Sequence, residues 1–355
     1  MEKIKTRQVK IGGVKVGGGA PVGIQSMAKT DTRDVKGTVK QIKGLEKAGC
    51  EIIRVAVKDF EAAKAIKYIK KKINLPLVAD IHFDYTLALC AIKNGADKIR
   101  LNPGNIYKEE EIMEVVKSAG RRRIPIRVGV NSGSLPIRLR KSSLAASGSE
   151  KRLQTENLVK SVLDYIKILE RMDFYDIIVS LKASSVVDTI EAYRLFSAQS
   201  RYPLHLGVTA AGPVSTGIVK SAIGIGALLL DGIGDTIRVS LTGDAAEEVK
   251  AARNILQALD IRKFGPEIIS CPTCGRCRVN LKEIAEKISR RIQEAGYKKQ
   301  VRIAIMGCEV NGPGEAKEAD IGIAFGKGAG VIFKNGEIIK RVKEKEAINA
   351  ILKYL

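Results

Sequence analysis

The chain has no tryptophan, two histidines and only 5% aromatic residues in 355. Proteins that grip nucleic acid by stacking bases need aromatic faces, and so few of them argue against that mode. No stretch approaches the roughly 18 consecutive apolar residues of a membrane-spanning helix. Met1-Glu2-Lys3-Ile4 is not the start of a secretory signal, so the sequence predicts a cytoplasmic protein with no membrane span. Low-complexity tracts and heptad repeats are lacking as well. Acidic residues are the minority: 39 against 61 basic ones give a net charge of +22. Anionic partners follow from that balance, whether a nucleic acid, an acidic small molecule or an acidic protein. Much of the lysine is scattered along helical stretches such as Lys67-Tyr68-Ile69-Lys70-Lys71-Lys72, where it solvates a surface.

Cysteine is sparse and unevenly placed. Of six, Cys50 and Cys90 sit in apolar helical contexts that suit buried inert thiols. The other four crowd into the last quarter, as Cys271-Pro272-Thr273-Cys274-Gly275-Arg276-Cys277 and Cys308. In a reducing compartment such clustering reads as metal binding or catalysis rather than as disulfides.

From residue 20 to about 245 a short β-rich run is repeatedly followed by a helical pattern. Eight runs recur: Val22–Ser26, Ile52–Val57, Pro76–His82, Lys98–Asn102, Pro125–Asn131, Ile177–Lys182, Pro203–Thr209 and Thr236–Leu241. Eight parallel βα units predict a (β/α)8 TIM-like barrel over residues 1–260, with a doubly wound open sheet as the other possibility. Residues 261–355 predict a small α+β domain. It would hold the cysteine turn, a helix over Leu281–Ala295, strands near 301–306, 321–325 and 331–333, the turn Asn335-Gly336 and a closing helix.

Four of the eight runs carry an arginine between aliphatic residues: Arg54, Arg100, Arg127 and Arg238. Lys182 holds a like place in a fifth. Side chains alternate across a strand, so if the aliphatic neighbours pack on the helices these cations point into the barrel. Barrel active sites form at the C-terminal ends of the strands. Converging guanidiniums suit a diphosphate, whose oxygens accept forked hydrogen bonds. Asp80 is the one acid among these strand ends and a candidate catalytic carboxylate. His82, Asn102, Asn131, Ser184, His205, Thr209 and Ser240 extend the same polar surface. The glycines of Gly212–Gly217, Gly224-Ile225-Gly226 and Gly232-Ile233-Gly234 suggest a phosphate-binding loop or simply tight turns.

The cysteines admit several metals. A zinc ribbon wants two CxxC pairs and a radical enzyme using S-adenosylmethionine wants CxxxCxxC; neither is present. A cubane cluster wants four ligands, one of which can be unusual. Glu315, seven residues after Cys308 and across a Gly-Pro-Gly turn, is a candidate oxygen ligand; its other reading is compensation of a helix N-terminus.

These residues together resemble the 4-hydroxy-3-methylbut-2-en-1-yl diphosphate synthase family, which acts late in the non-mevalonate isoprenoid pathway. The resemblance covers essentially the whole chain. It is carried by Gln25-Ser26-Met27, Thr30-Asp31-Thr32, Ala79-Asp80-Ile81-His82, Ile99–Asn105, Arg127–Leu135, Cys271–Arg276 and Asn311-Gly312-Pro313-Gly314-Glu315. It implies a [4Fe–4S] cluster held by Cys271, Cys274, Cys308 and Glu315, with Glu315 also catalytic. It implies 2-C-methyl-D-erythritol 2,4-cyclodiphosphate as substrate, with Asn311 among the substrate-binding residues. It further implies a homodimer in which the cluster domain of one chain caps the barrel of the other, and an acidic ferredoxin or flavodoxin as electron donor. The competing expectation is a zinc-stabilised nucleic-acid-binding protein. Two positions depart from the family pattern. Thr209-Ala210-Ala211-Gly212 stands where the family reads Thr-Glu-Ala-Gly, and the family's glutamate is expected to help protonate the leaving oxygen. Cys277 falls where a CxxCxxC triad would need it, yet the resemblance makes Cys308 the third thiolate.

Overall fold

The structure, a computed structural model, describes residues 3–131, 148–183, 185–209, 212–308 and 319–355. The chain divides into two compact units, Met1–Arg262 and Lys263–Leu355. Among the described residues no helix is long and apolar enough to cross a membrane.

The first unit opens with a hairpin, β1 (Val9–Ile11) and β2 (Val14–Val16). The barrel strands follow: β3 (Gly23–Met27), β4 (Ile52–Val57), β5 (Leu77–Ile81), β6 (Lys98–Leu101), β7 (Ile126–Asn131), β8 (Ile177–Lys182), β9 (His205–Leu206) and β10 (Thr236–Ile237). All pair in parallel in the order β8-β7-β6-β5-β4-β3-β10-β9. A parallel bridge from Val179 to Leu204 links the two ends of that row and closes the ring. Between them run α1 (Val35–Ala48), α2 (Phe60–Lys70), α3 (Tyr85–Lys93), α4 (Glu109–Arg122), α5 (Gly148–Glu170), α6 (Val186–Gln199) and α7 (Val214–Leu230), with α8 (Ala245–Ala258) after β10. The eight-stranded reading is therefore the correct one, and the open sheet is set aside. β9 and β10 are shorter than their apolar runs, although Arg238 N still donates to Leu206 O at 3.0 Å.

The floor of the barrel is apolar. Val9, Ile11 and Val16 of the hairpin pack on Ile52, Val78 and Ile178 from the strands, each 1% exposed or less. Each such side chain contributes about 1.5–3 kcal/mol of burial. The hairpin was not legible in the sequence, being two strands of three residues. Its plug leaves the opposite, C-terminal ends of the strands as the barrel's mouth.

At that mouth the helices begin, and aspartates cap them. Asp34, Asp59, Asp84 and Asp244 accept backbone N–H groups of Gly37, Ala62, Thr86 and Ala246. These carboxylates are committed to helix termini, so few acids are left to neutralise the cations inside.

The second unit holds a five-stranded sheet in the order β11 (Glu267–Ser270), β12 (Arg302–Met306), β13 (Ile321–Phe325), β14 (Ala329–Lys334) and β15 (Glu337–Lys343). β11, β12 and β13 are parallel; the last two return antiparallel. α9 (Leu281–Glu294) and α10 (Ala347–Leu352) cover the sheet through Leu281, Ile284, Ile288, Ile292 and Ile351. The sequence reading missed β15 because its exposed Glu337–Lys340 stretch shows little apolar alternation.

Candidate active site

Register places the barrel's cations side by side. Arg100 of β6 pairs with Asp80 on one side and Arg127 on the other. Arg54, Arg100, Arg127 and Lys182 are 7%, 5%, 1% and 8% exposed, so their charged ends are inside the barrel rather than on its rim. Asp80, 4% exposed, ties two of them: Arg100 Nη1 donates to Oδ1 at 3.2 Å and Arg54 Nε stands 3.5 Å from Oδ2. Arg100 Nη2 donates to Gly129 O at 3.1 Å, and Arg54 Nε to Met27 Sδ at 3.2 Å. Arg238 Nη2 lies 3.6 Å from Glu248 Oε2.

Two glycines make room for these groups. A Cβ on Gly129 would stand 3.0 Å from Arg100 Nε, and one on Gly207 would stand 3.3 Å from Lys182 Nζ and 2.6 Å from Arg238 O. A side chain at either place would displace a cation or the backbone beside it.

The charge balance is lopsided. Of the three acids buried among the described residues, Asp235 pairs with Lys3, which leaves Asp80 and Glu248 to face Arg54, Lys98, Arg100, Arg127, Lys182 and Arg238. Nε of Arg100, Nε and Nη1 of Arg127 and Nε of Arg238 are buried without a hydrogen-bond partner. Burial pushes the Asp80 carboxyl up, but Arg54, Arg100 and Arg127 outweigh it and hold the pKa at about 2. Burial, then the neighbouring guanidiniums, drive Arg127 and Lys182 well below their ordinary values. Arg238 is lowered to about 10 by burial and Arg54, against Glu248. Such an interior is short of negative charge and acceptors, and an anion brought in from solvent supplies both.

The remaining polar residues divide. Asn102 is buried, Asn131 and Ser240 are half-buried, and Thr209 is exposed. His82 is half in solvent, with Nε2 3.8 Å from Asp80 Oδ2. His205 is deep: it is 0% exposed and its Nδ1 is 2.9 Å from Thr236 Oγ1. Burial, then Arg127, lower its pKa well below the ordinary value and keep the ring neutral. Ser184, Asn311, Glu315 and Ala210 lie outside the described residues. Gly224 and Gly234 are packing glycines, since a Cβ there would stand 2.7 Å from Val208 Cγ2 and 2.4 Å from Leu206 Cδ1.

Two charged groups escaped the sequence reading. Lys98 begins β6 and is fully buried. Its signal was parity, because it precedes Arg100 by two residues and so shares its face. Glu248, 2% exposed, reaches in from the first turn of α8 to Arg238, to Lys29 at 3.0 Å and to Leu241 N at 3.0 Å. Nothing in the Glu247-Glu248 pair told the inward carboxylate from the outward one.

In the second unit the cysteines gather at the C-terminal ends of neighbouring parallel strands. Cys271 follows β11, and Gly307-Cys308 follow β12. Gly307 N donates to Cys271 Sγ at 3.3 Å, and Arg278 N to Gly307 O at 2.9 Å, which stitches the cysteine turn to the second strand end. The exposed Cys274 thiol is held below its ordinary value by the Arg276 N–H and then its guanidinium. Cys277 donates to Val279 O at 3.3 Å. Cys50 is inert: burial pushes its thiol up to about 12. Among the described residues no three histidine, cysteine or carboxylate side chains converge as they would on a single metal ion.

The fold and site define a class: a closed (β/α)8 barrel with a cation-rich interior, joined in one chain to an α/β unit that carries cysteines on a strand-end edge. The model of the GcpE TIM-barrel domain matches residues 6–253, and that of the GcpE protein C-terminal domain matches residues 267–355. The chain belongs to the GcpE family. Two curated relatives are named 4-hydroxy-3-methylbut-2-en-1-yl diphosphate synthase (flavodoxin). The one from Thermodesulfovibrio yellowstonii is 54% identical over 100% of this chain and 99% of its own. The one from Caldanaerobacter subterraneus is 57% identical over 99% of this chain and 96% of its own. Those names give no support to the nucleic-acid-binding alternative. Among solved structures, dihydropteroate synthase from Yersinia pestis superposes with a TM-score of 0.51 at 9% identity, over 71% of this chain and 98% of that one. Its counterpart from Coxiella burnetii gives 0.50 at 12% identity, over 70% and 97%. These two establish likeness of fold alone.

Proposed function

We infer that the chain converts 2-C-methyl-D-erythritol 2,4-cyclodiphosphate into 4-hydroxy-3-methylbut-2-en-1-yl diphosphate, taking up two electrons and two protons and releasing water. The observation that carries the reading is Arg127, a fully buried guanidinium with two unpartnered nitrogens beside Arg54 and Arg100. Arg54, Arg100, Arg127, Lys182 and Arg238 hold the diphosphate, and Asp80 fixes two of those arginines in place. Asn102, Asn131, Ser184, His205, Thr209, Ser240, His82 and Asn311 complete the proposed substrate-binding set. When the carbon–oxygen bond to phosphate breaks, the leaving phosphate gains charge, and guanidiniums already fixed in a dry interior stabilise it without reorganising. Anaerobic assay with reduced flavodoxin and the cyclic diphosphate tests the reading: the allylic diphosphate is the expected product, and its absence overturns it.

The electrons require a redox group. A [4Fe–4S] cluster held by Cys271, Cys274, Cys308 and Glu315 supplies them, which no amino-acid side chain can. The donor set suits it: Cys271 and Cys308 follow two adjacent strand ends, and Cys274, in the turn after the first, is biased toward thiolate. Flavodoxin, named in the relatives' titles, is the proposed donor, and a net charge of +22 favours an acidic protein.

Ala210 can neither hold nor give a proton, so the proton for the leaving hydroxyl comes from another group or from water. Ala210→Glu is expected to raise kcat by about a hundredfold, the low end of what a placed general acid contributes. Equal rates would show that the position does not matter.

A homodimer completes the site. The second copy meets the barrel at α7, a helix of 17 residues with one charge, Lys220, and with Val219, Ile223 and Leu230 more than half exposed. Val219→Glu with Ile223→Lys is expected to give a monomer of 38.5 kDa by light scattering, where the wild type runs as a dimer. A wild-type monomer would remove this part of the reading.

A further inference from the structure

Lys98 is the cation for which the site as described has no use. Its ammonium is 0% exposed and donates to a single neutral acceptor, Gln25 Oε1, at 3.1 Å. Its neighbours can be taken strand by strand. β3 presents Gln25, β4 Arg54 and β7 Arg127; Val78, paired with it from β5, is apolar. His205 of β9 also lies within its field. The charged groups acting on it are guanidiniums, and burial first, then Arg127 and Arg54, bring the amine well below its ordinary value. Burial without a counter-ion favours the amine over the ammonium.

The atoms around it are short of acceptors. Gln25 Nε2 and Arg127 Nε and Nη1 are all buried and unpartnered. Arg100, next but one along β6 on the same face, belongs to the diphosphate site. An arriving diphosphate therefore places negative charge in the layer just above Lys98. That charge favours the ammonium over the amine, and solvent supplies the proton to Nζ.

We propose that Lys98 is a positioning residue of the diphosphate site, which takes up one proton as the cyclic diphosphate binds and so matches the charge of the barrel's lower layer to its substrate. The inference rests on the reading of the barrel as a cyclodiphosphate site. Both phosphates of the cyclic compound are esterified and carry no titrating proton near neutral pH, so proton uptake reports on the protein. Titration calorimetry of the full-length protein at pH 8, in buffers of different ionisation enthalpy, is expected to show uptake of at least about one proton per substrate, with affinity falling as pH rises. Lys98→Met and Lys98→Arg, one without the charge and one with it fixed, are expected to bind with about one proton fewer taken up than in the wild type, leaving only the share of Lys182, whose pKa burial also lowers. Wild-type binding without uptake overturns the inference and needs no variant to fold; so does uptake unchanged in either variant. No binding at all overturns the substrate reading and this inference with it.

Discussion

Arg127→Met is expected to lower kcat/KM for the cyclic diphosphate by about a thousandfold and, at the same time, to raise the melting temperature. A thousandfold is about 4 kcal/mol, within the roughly 2–5 kcal/mol lost when one member of a buried charged contact is truncated. The gain in stability has a separate origin. In the free protein Arg127 is 1% exposed, with Arg54 and Arg100 as repelling neighbours and two nitrogens unpaired. Replacing buried charge by an apolar side chain of similar length is commonly worth about 1–4 kcal/mol. Folding also depresses the guanidinium's pKa, so the folded state binds its proton less tightly than the unfolded chain does. That penalty is fully present wherever the folded guanidinium is charged, and it fades only as pH rises between the folded and unfolded pKa values. Steady-state kinetics and thermal melts on the same preparation check both halves. A variant that loses activity and stability together would make Arg127 a strut of the barrel rather than a ligand held ready.

Cys308→Ser is expected to abolish the brown colour of anaerobically purified protein and to lower turnover by more than about a thousandfold, because the electrons have no other source. Cys277→Ser is expected to keep both. Cys277 already gives its hydrogen to Val279 O, while Cys308 follows β12, beside the strand end that precedes Cys271. Iron and sulfide content after reconstitution decides between them. Loss in Cys277→Ser with retention in Cys308→Ser would reassign the third thiolate.

The barrel was legible because each of its strands is a short aliphatic run, and because basic residues recur at matching places within five of them. Period-two alternation turned those places into a direction, inward, and burial of Arg54, Arg100, Arg127 and Lys182 agrees with it. Depth was not legible. His82 and His205 read alike as strand-end histidines, yet one is half in solvent and the other fully buried against Thr236. Alternation fixes which face a residue takes but not its layer along the barrel axis, which depends on the stagger between strands. Lys98 was hidden for a related reason, since a lysine at the start of a strand looks like any surface lysine until its neighbours are known. Glu248 came from a helix, where no strand parity applies. The capping roles of Asp34, Asp59, Asp84 and Asp244 were not legible either: their carboxylates hold helix N–H groups and leave the cations unneutralised.

The account stands on the excess of buried cations being kept for a diphosphate. A crystal structure of the anaerobically prepared protein with the cyclic diphosphate bound tests this most directly. It should place phosphate oxygens within hydrogen-bond distance of Arg127 Nε and Nη1, with Arg100 and Arg54 still on Asp80. Phosphate bound elsewhere, with those two nitrogens still unpartnered, would contradict it.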